Sequence, residues 1–327
     1  MYKKFLLVLL TMCLVTCSDS PTELSNSQDL SLATLKKVDD YPLYVMHYFG
    51  DYGFNSFLLE GLQTLNLIKS NDTHWACTCF ASLNPNGDVI SGRNFDWYEH
   101  PALLLFTDPP DGYASVSMVD ISYLGFDRTG INEENRERLL EAPFLPFDGM
   151  NEKGVTVGMM AVPHAEGGND TDKVTIGSLH VIRLVLDYAK DVEEAISLLQ
   201  NYNVDFQGGP PVHYLIADVS GNSVVIEYID HEIHVLRPSD HWQVSTNFII
   251  SGKTHEEAMF SCWRYNRAYT SLQNWDGEIS QDQAMSILST VSQSNTIWSV
   301  VYNATNMNIE VAMDRDYNEI HEFELEN

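Results

Sequence analysis

Residues 77–97 concentrate side chains that could carry out nucleophilic chemistry at a carbonyl group. Cys77 begins a predicted strand, the sequence Asn-Pro-Asn-Gly at 84–87 predicts a tight turn, and a second strand is predicted at 88–94. Arg93 and Asp96 lie at the end of this return strand. Because a hairpin brings its two ends together, we expect both side chains to lie beside Cys77.

The expected neighbours would change the chemistry of the cysteine. A cation beside a thiol lowers its pKa and favours the thiolate, and a carboxylate can hold an ammonium group. If Cys77 became an N-terminal residue, its own α-amine, with an ordinary pKa of about 7.7–8.0, could act as the base. The alternatives are an ordinary buried cysteine at Cys77 and a plain surface ion pair between Arg93 and Asp96.

The same segment resembles a known family, the N-terminal nucleophile hydrolases of the choloylglycine hydrolase and penicillin V acylase group. The acid ceramidase and isopenicillin N acyltransferase branches share this opening. Its pattern is Cys-Thr followed by Gly-Arg-Asn-x-Asp-Trp, which here is Cys77-Thr78 and then residues 92–97. The resemblance implies that Cys77 is the nucleophile, that Arg93 favours its thiolate, and that Asp96 orients its ammonium group.

Later segments resemble the family in the same order along the chain. The sequence Asp-Gly-Met-Asn-Glu-Lys-Gly at 148–154 implies that Asn151 donates to the oxyanion. Ser-Thr-Asn-Phe at 245–248 implies that Asn247 is a second polar group at the reacting carbonyl, and Arg264 stands where the family has a site arginine. The alternatives are turn residues for Asn151 and Asn247, and a solvated helix charge for Arg264.

The order of predicted elements indicates an α+β fold with mostly antiparallel sheets. The resemblance implies a four-layer αββα sandwich with two stacked antiparallel sheets. Residues 39–71 carry apolar residues at helix-like spacing, with Phe57, Leu58, Leu62, Leu65 and Ile68 on it. Further strands are predicted at 103–107, 113–121, 154–162, 212–218, 223–229, 297–303 and 307–313, and helices at 176–189, 192–200, 254–272 and 281–292.

The N-terminus predicts export. Two lysines precede an apolar run at 5–15, which is typical of a signal peptide and too short to span a bilayer. Leu-Val-Thr-Cys at 14–17 resembles a bacterial lipoprotein box, although Thr16 is larger than the residue usual there. We therefore expect a cell-envelope lipoprotein whose only membrane contact is a lipid anchor at Cys17. The alternative is a simple secretory signal and a periplasmic or secreted protein.

The predicted organisation is a signal peptide at 1–17, a tether and pro-segment at 18–76, and a catalytic domain at 77–327. Since Cys77 lies behind this long leader, the resemblance implies autoproteolysis between Ala76 and Cys77. The chain carries 18 basic and 46 acidic residues, for a net charge of −28, which repels phosphate backbones and argues against a nucleic-acid partner. No zinc-type spacing of cysteines is present, and neither a metal nor an organic cofactor is predicted.

The predicted function is hydrolysis of a linear, non-peptide carbon–nitrogen amide bond in a small N-acyl substrate. Two alternatives stay open: an acyltransferase that moves the acyl group to an amine, and a ligand-binding surface lipoprotein without catalysis on the same fold. Residues 106–126 are aromatic and apolar, and we expect them to shape a pocket for an apolar acyl group. Bile-salt amides, penicillin V, N-acyl amino compounds and N-acyl ethanolamides fit this expectation equally, and no oligomeric state is predicted.

Overall fold

A computed structural model describes residues 25–61, 76–84, 87–207 and 209–326 of the 327-residue chain. Several sequence predictions lie outside these residues: the signal peptide with its cysteine at 17, the first part of the tether, the apolar positions at 62, 65 and 68, and the middle of the predicted turn at 84–87. Within the described ranges, no helix is both long and apolar enough to cross a membrane.

The described strands, in chain order, belong to two large sheets and one small pair. They are β1 (Lys36–Asp39), β2 (Leu43–Phe49), β3 (Ala76–Ser82), β4 (Ile90–Asp96), β5 (Ala102–Asp108), β6 (Ser115–Asp120), β7 (Pro146–Asn151), β8 (Thr156–Ala161), β9 (Thr175–Gly177), β10 (Asn203–Asp205), β11 (Val212–Ala217), β12 (Ser223–Ile229), β13 (Glu232–Leu236), β14 (Trp242–Ser245), β15 (Thr296–Asn303), β16 (Asn308–Met313) and β17 (His321–Glu324).

Most of the described helices begin at a polar cap. They are α1 (Asn26–Ala33), α2 (Phe54–Glu60), α3 (Ser178–Tyr188), α4 (Val192–Leu199), α5 (His255–Ser261), α6 (Trp263–Asn274) and α7 (Gln281–Val291), with 3₁₀ segments at Ile121–Leu124 and Arg136–Phe144. Asp191 caps α4, and Thr254 and Ser280 form capping boxes with residues three positions into α5 and α7. These caps satisfy backbone N–H groups that the first helical turn leaves without partners.

The two large sheets stack face to face, with helices on both outer faces. The larger has the order β1-β2-β5-β6-β7-β8-β11-β12-β13, and the smaller has the order β14-β3-β4-β15-β16-β17. Helix α3 packs on β7 and β8, whereas α6 and α7 pack on β14, β4 and β15, and β3 lies against β8 between the layers. The predicted α+β, four-layer sandwich is therefore confirmed, with the parallel pair β2–β5 as an exception to antiparallel pairing in the large sheets.

The N-terminal region differs from the helix-like expectation at 39–71. Its described part forms β1, β2 and the seven-residue helix α2, and β2 pairs in parallel with β5 over its whole length. Leu43 and Met46 of β2 and Phe54 of α2 are almost completely buried. Apolar and aromatic residues in β2 favour a strand with a buried face. Of the residues at helix-like spacing, Phe57 and Leu58 do lie in the helix α2, and positions 62, 65 and 68 lie outside the described residues. Residues 25–61 are thus part of the same folded body as the predicted catalytic domain rather than a tether.

Two features of the smaller sheet position the candidate site. Strands β3 and β4 form the predicted hairpin, in which Cys77 pairs with Phe95 and Ala76 with Asp96. The helix predicted at 254–272 is broken, because Cys262 is extended (φ −151°, ψ 128°) and ends α5 before α6 begins. This break places Arg264 in the first turn of α6, on the buried side that faces β3.

Candidate active site

Cys77 is the second residue of β3, and its thiol lies between the two large sheets with 2% of the residue exposed. In this continuous chain its backbone N–H donates to Asn247 Oδ1 at 2.6 Å. Burial raises the pKa of the Cys77 thiol, while Arg93 and Arg264 and a hydrogen bond from the Asp96 backbone lower it. The thiol therefore sits in a desolvated position that two buried cations partly compensate.

Arg93 reaches from β4 toward both the thiol and the larger sheet. Its Nη2 lies 3.8 Å from Cys77 Sγ and donates to the Met159 carbonyl at 2.9 Å, while Nη1 forms a buried ion pair with Asp148 on β7. The guanidinium also lies over the ring of Phe95, 5.1 Å from its centroid. These contacts fix the orientation of Arg93, because both terminal nitrogens of the planar group have partners.

Asp96 ends β4 and is buried completely. Its two carboxylate oxygens accept hydrogen bonds from Thr296 Oγ1 at 2.5 Å and Gln293 Nε2 at 2.9 Å, and Arg264 Nη1 lies 3.9 Å away. Burial raises the pKa of Asp96, and these donors and cations oppose that rise. The carboxylate is thus held in place opposite Ala76, the residue that precedes Cys77.

Asn247 and Arg264 close the site from the side of β14 and α6. Arg264 Nη1 donates to the Cys77 carbonyl and, at 3.0 Å, to Thr78 Oγ1, and its Nη2 donates to Asn247 Oδ1 at 2.9 Å. Asn247 Nδ2 donates to the Ala161 carbonyl at 2.7 Å. Asn247 Oδ1 therefore accepts from both the Cys77 N–H and Arg264, and it bridges Cys77 to α6.

Asn151 is not brought to this site. It ends β7 at the turn into β8, whereas the site uses the opposite end of β8 at Met159 and Ala161. Its side chain is fully occupied by four hydrogen bonds to backbone groups, at 2.8–3.1 Å, of Leu186, Ala189, Lys153 and Val155. Asn151 therefore stabilises the β7–β8 turn, and the oxyanion role expected from the Asn-Glu-Lys-Gly sequence does not fit its position.

The second thiol on β3, Cys79, lies on the same face as Cys77 and is also buried. It borders a cavity of about 20 Å³ that is lined by Cys79, Phe80, Ser91, Gly92, Arg93, Asp148, Thr156, Val157, Gly158, Leu215 and Tyr302. A carbon atom added at Gly158 would lie 3.0 Å from Cys79 Sγ and 3.3 Å from Arg93 Cδ. The glycine therefore provides the space that Arg93 needs beside Cys77 and Cys79.

The expected acyl-pocket segment at 106–126 consists mainly of ordered sheet. It contains the end of β5, all of β6 and the first 3₁₀ segment, and Phe106, Val116 and Phe126 are buried in the core. In the described part of the chain, no group of three or more His, Cys, Asp or Glu side chains could hold a metal ion.

The sequence patterns predict no role for several residues that support the site. Asp148 holds Arg93 and accepts further hydrogen bonds from Tyr302 at 2.5 Å and Trp298 at 3.3 Å. Gln293 and Thr296 hold Asp96. The sequence does carry a signal for Asp148, because a carboxylate within the apolar stretch at 145–150 is expected to be buried, and a buried charge needs a partner.

The chain is similar to known proteins over the part that carries most of these residues. The family of linear amide C–N hydrolases, choloylglycine hydrolase family, matches residues 77–249, which begin at Cys77 and include Asn247. A penicillin V acylase from Pectobacterium atrosepticum is 28% identical over 199 residues, or 57% of this chain and 53% of the relative. The match thus spans about half the length of that relative.

Two solved structures are similar in fold at low sequence identity. A mutant conjugated bile acid hydrolase from Clostridium perfringens has a TM-score of 0.58 and 17% identity, covering 77% of this chain and 93% of that one. A penicillin V acylase from Agrobacterium tumefaciens has a TM-score of 0.52 and 16% identity, covering 76% and 92%. These matches support the stacked-sheet architecture.

Proposed function

The chain belongs to the choloylglycine hydrolase family of linear amide C–N hydrolases, and we propose that it hydrolyses the amide bond of a small N-acyl substrate through Cys77 as an N-terminal nucleophile. The observation that carries this proposal is the convergence of five predicted residues, Cys77, Arg93, Asp96, Asn247 and Arg264, at the start of β3. Cys77, Arg93 and Asp96 belong to the β3–β4 hairpin. Asn247 and Arg264 come from the segment after β14 and from α6, so distant parts of the chain complete the arrangement.

In the proposed reaction the α-amine of Cys77 takes the thiol proton, and the thiolate attacks the amide carbonyl carbon. The carbon–nitrogen bond breaks, the ammonium group gives its proton to the leaving amine, and a thioester remains on Cys77. Water, activated by the same amine, then cleaves the thioester and releases the acid. Arg93 stabilises the thiolate from 3.8 Å, and no metal or organic cofactor takes part.

The oxyanion and the amine use the polar groups on the other side of Cys77. Asn247 already contacts the Cys77 nitrogen through Oδ1, and its Nδ2 is the nearby side-chain amide donor for the developing oxyanion. A positioned donor of this kind is worth about 2.7–4 kcal/mol in the transition state. Arg264 fixes the Cys77 carbonyl, and Asp96 provides a negative charge for the ammonium group that forms.

The amine must first be released by cleavage between Ala76 and Cys77. The Cys77 thiol would attack the Ala76 carbonyl, shift the acyl group from nitrogen to sulphur, and water would then hydrolyse the resulting thioester. Asn247 accepts the Cys77 N–H on the nitrogen side of this bond, and Arg264 holds the Cys77 carbonyl beyond it. The same residues are therefore suited to support both the cleavage and the later hydrolysis.

The first test is the N-terminus and intact mass of the protein expressed from residue 18 to residue 327. Wild type should yield a chain beginning at Cys77, and Cys77→Ala should remain whole. Cys262→Ala is a matched control, because that free cysteine is partly exposed and lies outside the contacts of Cys77. An intact wild-type chain under all conditions would contradict the N-terminal nucleophile mechanism.

The second test is a screen of amides with wild type and Cys77→Ala. It should include penicillin V, glycine-conjugated bile salts, N-acyl amino acids and N-acyl ethanolamides, with and without an added amine. Release of free acid that depends on Cys77 supports hydrolysis. Formation of a new amide with the added amine would instead indicate acyl transfer, and processing without any turnover would favour a binding role.

A further inference from the structure

A second buried pair of titratable residues lies behind Asn247. His213 on β11 and Glu227 on β12 are both completely buried, and His213 Nδ1 lies 3.1 Å from Glu227 Oε1. Neither side chain touches Cys77 in the described contacts, so the reaction proposed above does not use them directly. Their hydrogen bonds lead to the segment that carries Asn247.

The partners of this pair determine its charges. Glu227 Oε1 accepts from the Ile250 N–H at 2.7 Å, and Oε2 accepts from the Ser251 N–H at 2.9 Å. Burial alone would raise the pKa of Glu227, but hydrogen bonds from His213 and the Ile250 backbone outweigh it and lower that pKa to about 2. The side chain is thus an ionised carboxylate, and the ring nitrogen that faces it must donate.

The other ring nitrogen of His213 also faces an acceptor. Nε2 lies 2.7 Å from the Thr246 carbonyl oxygen and 3.0 Å from Ser245 Oγ. The Thr246 carbonyl oxygen can only accept, so a hydrogen bond to it needs a hydrogen on Nε2, whereas Ser245 Oγ can either donate to Nε2 or accept from it. A neutral imidazole has a single N–H, so only an imidazolium donates to both Glu227 and Thr246 at once.

The ion pair holds the chain on both sides of Asn247. His213 binds the carbonyl of the residue just before it, and Glu227 binds two N–H groups that follow it. Between these fixed points, Asn247 reaches the Cys77 nitrogen, Arg264 and the Ala161 carbonyl at 2.6–2.9 Å. We propose that His213 and Glu227 form a buried imidazolium–carboxylate pair that positions Asn247 for reaction at Cys77.

Only the catalytic consequence of this proposal rests on the function proposed above. Glutamine at position 227 would keep one acceptor oxygen, so it would remove the negative charge that faces His213 and leave at least one of the three donors, His213 and the N–H groups of Ile250 and Ser251, without its acceptor. Asn247 would then lose the fixed backbone that aims its side chain. Because a displacement of about 1 Å at a reacting group can cost about 10²-fold in rate, a small loosening is enough to be measured.

The charge state can be tested without any catalysis. We would label the histidines of full-length Cys77→Ala with ¹⁵N and record the ring nitrogen shifts at about pH 8, where an ordinary imidazole with a pKa of about 6.5 is neutral. The signal lost in Cys77→Ala with His213→Gln identifies His213. Two protonated ring nitrogens support the ion pair, and the spectrum of a neutral ring overturns it.

The positioning role is tested by Glu227→Gln, which keeps the size of the side chain and removes its charge. Using whichever amide wild type cleaves in the screen, we expect kcat to fall by about 10²-fold with KM little changed, since Asn247 acts at the reacting atoms. Glu227→Asp, which keeps the charge, should recover part of the loss, and it replaces Glu227→Gln if that variant does not fold. Glu166→Gln is the matched control, because Glu166 is exposed.

An unchanged kcat in folded Glu227→Gln would overturn the positioning role. If wild type neither cleaves itself nor any amide, the proposed function fails, yet the ¹⁵N measurement still decides the charge of His213. Failure of the inference and failure of the function are therefore separate results.

Discussion

Two buried arginine–aspartate pairs in this protein show how similar ion pairs can serve different purposes. Arg93 pairs with Asp148 across the two sheets, and Arg183 pairs with Asp187 four residues later in α3. All four side chains are almost completely buried. The pairs differ in what the rest of each guanidinium group does.

Arg183 uses all of its nitrogens on protein partners. Nε donates to the Pro143 carbonyl at 2.7 Å, Nη1 donates to Ser115 and Asp187 at 3.0 Å, and Nη2 lies 3.3 Å from Ser117 Oγ. Tyr52 then donates to Asp187 at 2.7 Å from the N-terminal region. This pair is saturated, and it joins residues 25–61 to the body of the protein.

Arg93 is incompletely bonded by comparison. Its Nε has no hydrogen-bond partner among the described residues, and its Nη2 faces the Cys77 thiol at 3.8 Å, longer than an ordinary hydrogen bond. Nη2 also donates to the Met159 carbonyl, so Arg93 connects the larger sheet to the Cys77 thiol while its Nε stays without a partner. The two pairs therefore differ in what they contact: Arg183 joins structural elements, whereas Arg93 lies beside the candidate nucleophile, where a thiolate would gain a cationic partner.

The largest expected effect comes from replacing each arginine with lysine. Arg93→Lys should lower kcat/KM by about 10²-fold or more, because an ammonium group cannot hold Asp148, the Met159 carbonyl and the thiol at once. Arg183→Lys should lower thermal stability and leave kcat/KM of the folded enzyme unchanged. Steady-state kinetics and thermal unfolding of both variants check this. Similar losses of kcat/KM in the two variants would show that the two ion pairs do not differ in function.

A second substitution tests the space behind Arg93. Gly158→Ala should lower kcat by about tenfold, since the new methyl group would crowd Cys79 Sγ and Arg93 Cδ and shift the guanidinium. Gly209→Ala is the control, because its nearest neighbour would be 4.0 Å away at Tyr123. Full activity in Gly158→Ala would show that the position of Arg93 is not critical.

The structural pair is tested from the N-terminal side. Tyr52→Phe removes the hydrogen bond to Asp187 and should lower the free energy of unfolding by about 1.5–3 kcal/mol, the range for a hydrogen bond to a charged group. Denaturant unfolding of the uncleaved Cys77→Ala background measures this. In the processed enzyme, residues 25–61 should still copurify with the main chain through β2, and turnover should be unchanged. Loss of activity without loss of stability would contradict this assignment.

The last expected effect needs no substitution and concerns the pH dependence of the first cleavage. Burial raises the pKa of the Cys77 thiol above its ordinary value of 9.0 in the uncleaved chain, although Arg93 opposes that rise. The thiolate fraction therefore grows with pH throughout the range below that pKa, and cleavage should accelerate by up to about tenfold per pH unit. Mass spectrometry of freshly folded protein between about pH 6 and pH 8 measures the rate. A rate that falls with increasing pH would exclude attack by the thiolate.

Much of the central fold is readable from local patterns. The hairpins at β3–β4 and β11–β12, the helices α3, α4 and α7, and the closing strands β15 and β16 all coincide with predicted segments. In the β11–β12 hairpin Tyr214 pairs with Ile226, so the next pair away from the turn is His213 and Glu227. Counting back from the turn would have found that pair from the sequence.

The elements that were missed depend on distant partners. Strand β2 pairs with the short strand β1 just before it, and its other edge is fixed by parallel pairing with β5, some sixty residues later. The break at Cys262 is likewise invisible in helical periodicity, because an extended residue between two helices preserves the apolar spacing on each side. Asn151 shows the opposite case. Its motif occurs in the expected order along the chain, but the residue forms the turn between β7 and β8, at the end of β8 that lies away from Cys77.

The sequence by itself determined the reactive hairpin, because Cys77, Arg93 and Asp96 are joined by a short turn and strand pairing follows from local pattern. It also determined the family, through the residues that open that hairpin. Only the tertiary structure decided that Asp148 lies behind Arg93, that Asn151 stays outside the site and that residues 25–61 join the larger sheet. It also supplied the contacts by which Asn247 and Arg264, which the resemblance had implied, meet Cys77. The physical reason is that buried charges and unpaired strand edges need partners, and packing between layers selects those partners regardless of their separation along the chain.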